Sequence, residues 1–508
     1  MSLFAPQAGP RLYRMPPGVD FAAGFSAGLA ARMDGIEQTV RPGIEVRLNT
    51  TRSVRAVEAG LARAAPGLLP RLTTVDAPAH PLKVIPTLRR RLILGRIVAA
   101  YLDAQPGLAP KAAAFDYADS LAALLDEMGE AGVTGDAFAS LAPADHAEHW
   151  QRGQAMLDLV ARAWPQHLAE AEGDALDPGA ALRRAVLRET ADWAAAPPKT
   201  PLIIAGSTGS RAPTHLMLKA VAFLPQGAVV LPGVDPHLDA EDLAQIAQSA
   251  PDHPQSAIAR LLVALDMAPA DIPIWHGAPP LEARSRLISL SLRPAPVTHI
   301  WRDAIPQLQT EVGVALADVT LLAAPSARAE ADAIALALRH AIEQGETAAL
   351  VTPDRDLARR VTAALGRWGL VPDDTAGRPL SLAPPGILLR LIAQGLGPPM
   401  SPVGVLEILG HPLVASGDQE ARARHRDGVI ALEQRILPDL PGPLDWDAVA
   451  SHRAMTDPDW LAWVRETLAP LEASPRSLSA WLSLHLDCAQ RLAAGYGSDG
   501  EGGLWDKQ

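Results

Sequence analysis

Apolar positions along this chain follow two spacings, and the switches between them outline its organisation. Near the start, Arg11-Leu-Tyr-Arg-Met15 reads as a short strand, Pro16-Pro17-Gly18 as a turn, and Asp20 as the cap of a helix reaching about Met33. A second strand near Ile44–Leu48 ends in Asn49-Thr50-Thr51-Arg52-Ser53, and Val54, Val57 and Leu61 then keep helical spacing. Two strand–loop–helix units in succession are the grammar of a parallel α/β sheet.

From about Pro86 to Trp193 the pattern becomes long amphipathic helices. Leu92, Leu94 and Val98 mark one, Leu121, Leu124, Leu125 and Met128 a second, and Met156, Leu157, Val160 and Trp164 a third. The sheet pattern resumes with Pro201-Leu-Ile-Ile-Ala205, the turn Gly206-Ser-Thr-Gly-Ser210, a helix opening near Pro213, and a strand at Ala228–Leu231. A second α/β unit is expected from Val319-Thr-Leu-Leu-Ala323, a helix over about Ala327–Ile342, a strand at Thr347–Val351, and a helix Arg355–Trp368 capped at Thr352-Pro353-Asp354. Beyond Pro384 the spacing is helical. The pattern therefore predicts an α/β chain of two domains. Residues 1–310 form the first, with a helical insertion at about 86–195 and an irregular region at about 236–310. Residues 311–508 form the second, which carries the start of a further helical insertion.

Composition narrows the function classes. At 508 residues with 48% hydrophobic content, the chain supports more than one core. No apolar run approaches the ~18–20 residues that crossing a bilayer requires, and the proline-rich start lacks the basic-then-apolar pattern of a signal peptide, so a cytoplasmic protein is expected. The single cysteine, Cys488, excludes disulfides, cysteine-rich zinc sites and four-cysteine iron–sulfur clusters within this chain. A net charge of −12 argues against indiscriminate nucleic-acid binding while leaving room for a local basic groove. Positive charge is nearly all arginine; the lysines are Lys83, Lys111, Lys199, Lys219 and Lys507.

A phosphate-binding loop needs a glycine-rich turn, a lysine and a Ser/Thr for magnesium. Met15-Pro-Pro-Gly-Val-Asp-Phe21 offers two prolines without amide donors, no lysine, and a carboxylate where phosphates would sit. Gly206-Ser-Thr-Gly-Ser210 lies between strand and helix but lacks the Gly-Lys-Ser/Thr ending and a following carboxylate, so it reads as a structural turn or a DNA-facing loop. Hydroxyls and an arginine at Asn49–Ser53 suit either a helix cap or a phosphate contact, and Thr352-Pro353-Asp354-Arg355 repeats the design. Arg89-Arg90-Arg91 with Arg96 reads as a solvated helix face or a binding stripe. His146 and His149, with Glu148 between them, lack an evident third ligand, and Asp373-Asp374 is either a metal pair or a turn cap. No catalytic constellation emerges.

Taken in order, Met15-Pro-Pro-Gly-Val-Asp-Phe21, Thr50-Thr-Arg-Ser53, His149-Trp150, Ala205-Gly-Ser-Thr-Gly-Ser210, Pro225-Gln-Gly-Ala-Val-Val-Leu-Pro-Gly233, His253-Pro-Gln255, Val351-Thr-Pro-Asp-Arg355, Asp373-Asp-Thr-Ala-Gly-Arg-Pro379 and Gly410-His-Pro-Leu413 span most of the chain. Together they resemble the N-terminal half of AddB, a subunit of the AddAB helicase–nuclease of double-strand-break repair and recombination, in its alphaproteobacterial form. The resemblance implies degenerate superfamily 1 helicase-like domains of the P-loop NTPase/RecA-like kind, with large helical insertions. It implies a heterodimer with the motor subunit AddA, which uses ATP and Mg2+, and contact with double- and single-stranded DNA away from any membrane. AddB there guides DNA and scans for a recombination hotspot, with an inactive motor. Some other AddB members retain a nucleotide loop at the first turn; here that turn holds Pro16, Pro17 and Gly18. The family's C-terminal nuclease domain, often with an iron–sulfur cluster, is absent here, and the ending Leu504-Trp-Asp-Lys-Gln508 reads as a cut.

Carried over by position, Thr51 and Arg52 fall where related motors touch the strand backbone. Ser207, Thr208 and Arg211 lie near the magnesium-site strand of an active motor, and Thr352 and Arg355 at the equivalent strand end of the second domain. No catalytic or metal-binding residue and no cofactor of this chain's own is expected. The alternative is a two-domain Rossmann-like nucleotide or sugar-nucleotide enzyme using the Gly206–Ser210 loop.

Overall fold

A computed structural model of the chain describes residues 2–77, 82–105, 107–134, 137, 163–170, 172–173, 175–278, 281–397, 399–417, 419–440, 442, 444–472, 477–498 and 502–505. It divides into two units, Met1–Thr320 and Leu321–Gln508.

The first unit is built on five parallel strands: β1 (Leu12–Arg14), β2 (Glu45–Leu48), β3 (Arg71–Thr74), β4 (Leu202–Ala205) and β5 (Gly227–Leu231), in the order β1-β5-β4-β2-β3. Beyond β1, Arg14 donates to the Pro273 carbonyl (2.9 Å) and accepts from the Trp275 amide (2.9 Å), which extends that edge by a bridge. Every residue of β4 and β5 is buried, as expected of central strands covered on both faces. The faces separate by alternation. Ile203, Ala205, Val46, Leu48, Ala228 and Val230 meet α1 (Phe21–Arg32) and α2 (Thr51–Ala64). Leu202, Ile204, Val229 and Leu231 turn to the opposite layer.

That opposite layer begins within the expected helical insertion, whose last helix supplies Val186. The insertion contains α3 (Thr87–Ala104), α4 (Ala114–Ala131) and α5 (Pro178–Ala195). Of its third expected helix, Met156, Leu157 and Val160 lie outside the described residues; the described part, 163–170, is helical and buries Trp164. The arginine run on α3 is solvated at Arg89, Arg91 and Arg96, which are exposed, and departs from that reading at Arg90. Arg90 is buried between Asp126 (2.8 Å) and Asp177 (2.8 Å), while Arg89 pairs with Glu172 and Arg91 with Asp119. Buried guanidinium persists only with such partners.

Four more helices come next in the chain: α6 (Ala212–Ala222) between β4 and β5 and, after β5, α7 (Ala240–Ser249), α8 (Ser256–Leu265) and, after the polar segment, α9 (Glu282–Ser291). A fifth, α10 (Trp301–Ala315), completes the region expected to be irregular. Its order owes much to one buried pair: Arg293 meets Asp242 at 2.8 Å, and Asp242 also closes the capping box of α7 with Asp239.

The second unit is helical throughout its ordered elements. α11 (Ala327–Glu343) packs on α12 (Arg355–Gly366) through Ala331, Ala335, Val361 and Leu365. A separate core joins α13 (Pro384–Gln394), α14 (Pro402–Leu409), α15 (Gln419–Ala431), α16 (Trp446–Ser451), α17 (Pro458–Leu468) and α18 (Leu478–Ala494) around Trp460. The strands expected at 319–323 and 347–351 do not form among the described residues. A strand is defined by its neighbour, and neither segment has one among the described residues. No helix among the described residues is long and apolar enough to cross a membrane.

Candidate functional site

In parallel α/β sheets, binding crevices open at the carboxyl ends of strands where successive helices leave for opposite faces. Here β2 and β4 are neighbours, with Leu48 opposite Ala205. The helix after β2 packs on one face and the helix after β4 on the other. The switch therefore lies between the loop Asn49-Thr50 and the loop Gly206–Arg211. Four of the five first-unit candidates, Thr51, Arg52, Ser207 and Thr208, sit around this switch, and Arg211 opens α6 beside it.

Their local chemistry differs. Thr50 caps α2, its hydroxyl accepting from the Ser53 amide at 3.1 Å. Thr51 is then the first helical residue, and Thr51 and Arg52 are both exposed at a helix N-terminus. Ser207 is buried, and its hydroxyl accepts from the Gly209 amide at 3.3 Å, which fixes the turn from within. Thr208 is half-buried. Arg211 is held by two acids: its Nη1 lies 2.9 Å from Asp76, and its Nε 3.0 Å from Glu130 on α4. The Glu130 bond above all raises the Arg211 pKa. The guanidinium thus ties the sheet edge to the helical insertion, and both carboxylates compete with any phosphate for it.

The glycine loop is closed by its surroundings. The Gly206 amide donates to the Val230 carbonyl at 3.0 Å, and Gly206 takes a left-handed φ of 75°. A Cβ there would stand 3.0 Å from the Phe21 ring, so α1 roofs this turn. At the first turn, the Asp20 carboxylate accepts from the Ala23 amide at 3.0 Å. Buried Met15 fills the space against Gly24, where a Cβ would come 2.4 Å from its methyl carbon. The start of α1 thus carries the Asp20 carboxylate on its first amides and buried Met15 against Gly24.

In the second unit, the Thr352 hydroxyl accepts from the Asp354 amide (3.0 Å), and Asp354 caps α12. Exposed Arg355 reaches Asp374 in a two-pronged pair at 3.1 and 2.9 Å. Asp374 also accepts from the Ala376 amide (2.9 Å), so in the Asp373-Asp374 pair this carboxylate works as a turn cap. Among the described residues, no group of three or more His, Cys, Asp or Glu is arranged to hold a metal ion; His146, Glu148 and His149 lie outside them. Cys488 is buried in the second unit's core.

A charged strut was missed by sequence reading. Arg47 projects from β2 into the α5 layer, where both its guanidinium nitrogens meet Glu189 (3.1 and 2.6 Å) and its Nε meets Glu45 at 2.8 Å. The signal was present, since Arg47 stands in a strand between Val46 and Leu48, but its partner Glu189 lies 142 residues away. Comparison with protein-family models and with curated proteins gave no match for this chain.

Proposed function

We propose that this chain is a non-catalytic, DNA-guiding part of an AddB-type subunit, acting beside an ATP-driven AddA motor in break repair. The observation that carries the reading is the condition of the first strand–turn–helix. It has the strand–turn–helix order in which a nucleotide-binding unit leaves a phosphate space, but here buried Met15 packs on Gly24 and the Asp20 carboxylate caps the helix start. A motor fold kept for gripping a strand has no need of that space. The neighbouring switch between β2 and β4 then remains the accessible feature, with Thr51 and Arg52 exposed at a helix start. Such contacts act on the phosphate backbone, without base readout.

Arg52→Ala in the assembled complex is the direct test. Binding of duplex ends should weaken with little dependence on sequence, and the slope of log affinity against log salt should flatten by about one unit. Unchanged affinity and slope would remove Arg52 from the interface. Micromolar binding of ATP or a sugar nucleotide to the isolated chain in a calorimetric titration would overturn the non-catalytic reading as a whole.

A further inference from the structure

Two buried histidines stand in the wall of a groove of about 490 Å³ in the second unit, between the turn after α14 and helix α15, and their nitrogens are used differently. His425 is satisfied at both: its Nδ1 accepts from the Trp460 indole at 3.2 Å, and its Nε2 donates to the Leu409 carbonyl at 2.8 Å. His411, only 8% exposed, is bonded at one. Its Nδ1 accepts from the Leu413 amide at 3.2 Å, and burial lowers its pKa. The ring is therefore neutral near physiological pH, with its one proton on Nε2. Among the described residues that N–H finds no acceptor. A donor so deeply placed is ordinarily answered.

The cations of the same groove are unanswered too. Arg422 and Arg426 are exposed one turn apart on α15, about 6 Å along its axis. Arg424, between them in sequence, pairs with Asp457. The Arg422 Nη2 donates to the Pro412 carbonyl at 3.2 Å, which ties it to the His411 turn without supplying a negative charge. Neither Arg422 nor Arg426 meets a carboxylate among the described residues, and none of those lining the groove is acidic. This stands out in a chain whose acids outnumber its bases by 57 to 45. The donors also select the anion. A planar carboxylate is filled by one guanidinium fork, whereas a phosphate offers oxygens in enough directions to take two forks and an imidazole N–H together. An apolar ligand would leave all three unanswered.

We propose that the groove between His411 and the Arg422–Arg426 face of α15 is a phosphate-binding site. The two guanidiniums supply the charge from the solvent side, and the His411 Nε2 donates from the wall and fixes where the oxyanion sits. A small phosphate ester and the backbone of a nucleic-acid strand present this same group, and the experiment separates them. The inference does not rest on the DNA-guiding role and survives its failure.

Phenylglyoxal modification of the full chain, read at each arginine by mass spectrometry, tests it. Inorganic phosphate at about 10 mM, enough to saturate a millimolar contact, should slow modification of Arg422 and Arg426 about ten-fold, while exposed Arg328 of α11 keeps its rate. His411→Asn keeps an acceptor for the Leu413 amide but loses the Nε2 donor, and Arg426→Gln alters a side chain that has no partner among the described residues. Each should raise the phosphate needed to protect Arg422 at least about ten-fold. Oligothymidylate in place of inorganic phosphate identifies the source. Half-protection at a lower concentration of phosphate groups assigns the site to a strand, half-protection only at an equal or higher one assigns it to a small ester, and the site stands in both cases. Three results overturn the proposal: no protection by either anion; equal protection by acetate or chloride at the same ionic strength, which marks mere screening of exposed charge; or protection of Arg422 that is unchanged in both variants.

Discussion

Arg47→Met breaks the strut between sheet and helical insertion, and the geometry sets its cost. Arg47 and Glu189 are each 4% exposed, and the guanidinium holds the carboxylate through two bonds at 3.1 and 2.6 Å. Methionine keeps most of the volume but leaves Glu189 buried without a cation, which costs about 3–5 kcal/mol. Replacing both partners, Arg47→Met with Glu189→Leu, removes the desolvated charges together. The double variant should recover most of that loss, ending within about 1–2 kcal/mol of the parent because Glu45 still loses its contact. Urea unfolding followed by far-ultraviolet circular dichroism measures both, and hydrogen exchange in β2 and α5 assigns the transition to the first unit. A cost for Arg47→Met below about 1 kcal/mol refutes the strut, as do single costs that add in the double variant. Glu45 supplies a pH check. Burial raises its pKa, but Arg47 and Arg71 outweigh that and hold it below its ordinary value. Its contribution is therefore present above about pH 4.3 and lost as pH falls through the lower folded value, a limb that Arg47→Met should flatten.

Three further expectations concern single residues. Gly28→Ala places a Cβ 2.4 Å from the Trp275 ring nitrogen, so this α1 contact should open at a cost of about 1–3 kcal/mol in a thermal or urea melt; a neutral or stabilising result would mean that Trp275 moves freely. His425 is buried, which lowers its pKa against the opposing pull of the Leu409 carbonyl, and burial lowers His411 likewise. The unfolded chain thus takes up these protons first. Stability of the second unit should be flat above about pH 6.5 and fall as pH drops below it, and a stability profile unchanged between pH 7 and about 5 would contradict this. Burial pushes the Cys488 thiol up to about 12, so iodoacetamide at about pH 8 should modify it only after unfolding; rapid labelling of the native chain would show an open core.

Most of the first unit could be read along the chain. β4 and β5 announce themselves as short apolar runs bounded by turn residues, and Asp20 caps α1 where its position before the helix predicts. β3 went unread because Arg-Leu-Thr-Thr at a sheet edge has no apolar run to betray it. The site was legible as positions and not as chemistry. Arg211 looks free in sequence, and its engagement depends on Asp76 and Glu130, 135 and 81 residues distant. The second unit marks the limit most clearly. Local pattern made residues 347–351 a strand, which does not form, since alternation and β-branching are properties of the segment itself. Whether that segment becomes a strand is decided by a neighbour, and pairing is a long-range matter that no local spacing encodes. The sequence by itself thus determined the elements and their caps. The tertiary structure alone decided which charges cancel, which turn is roofed and which expected strands find a neighbour.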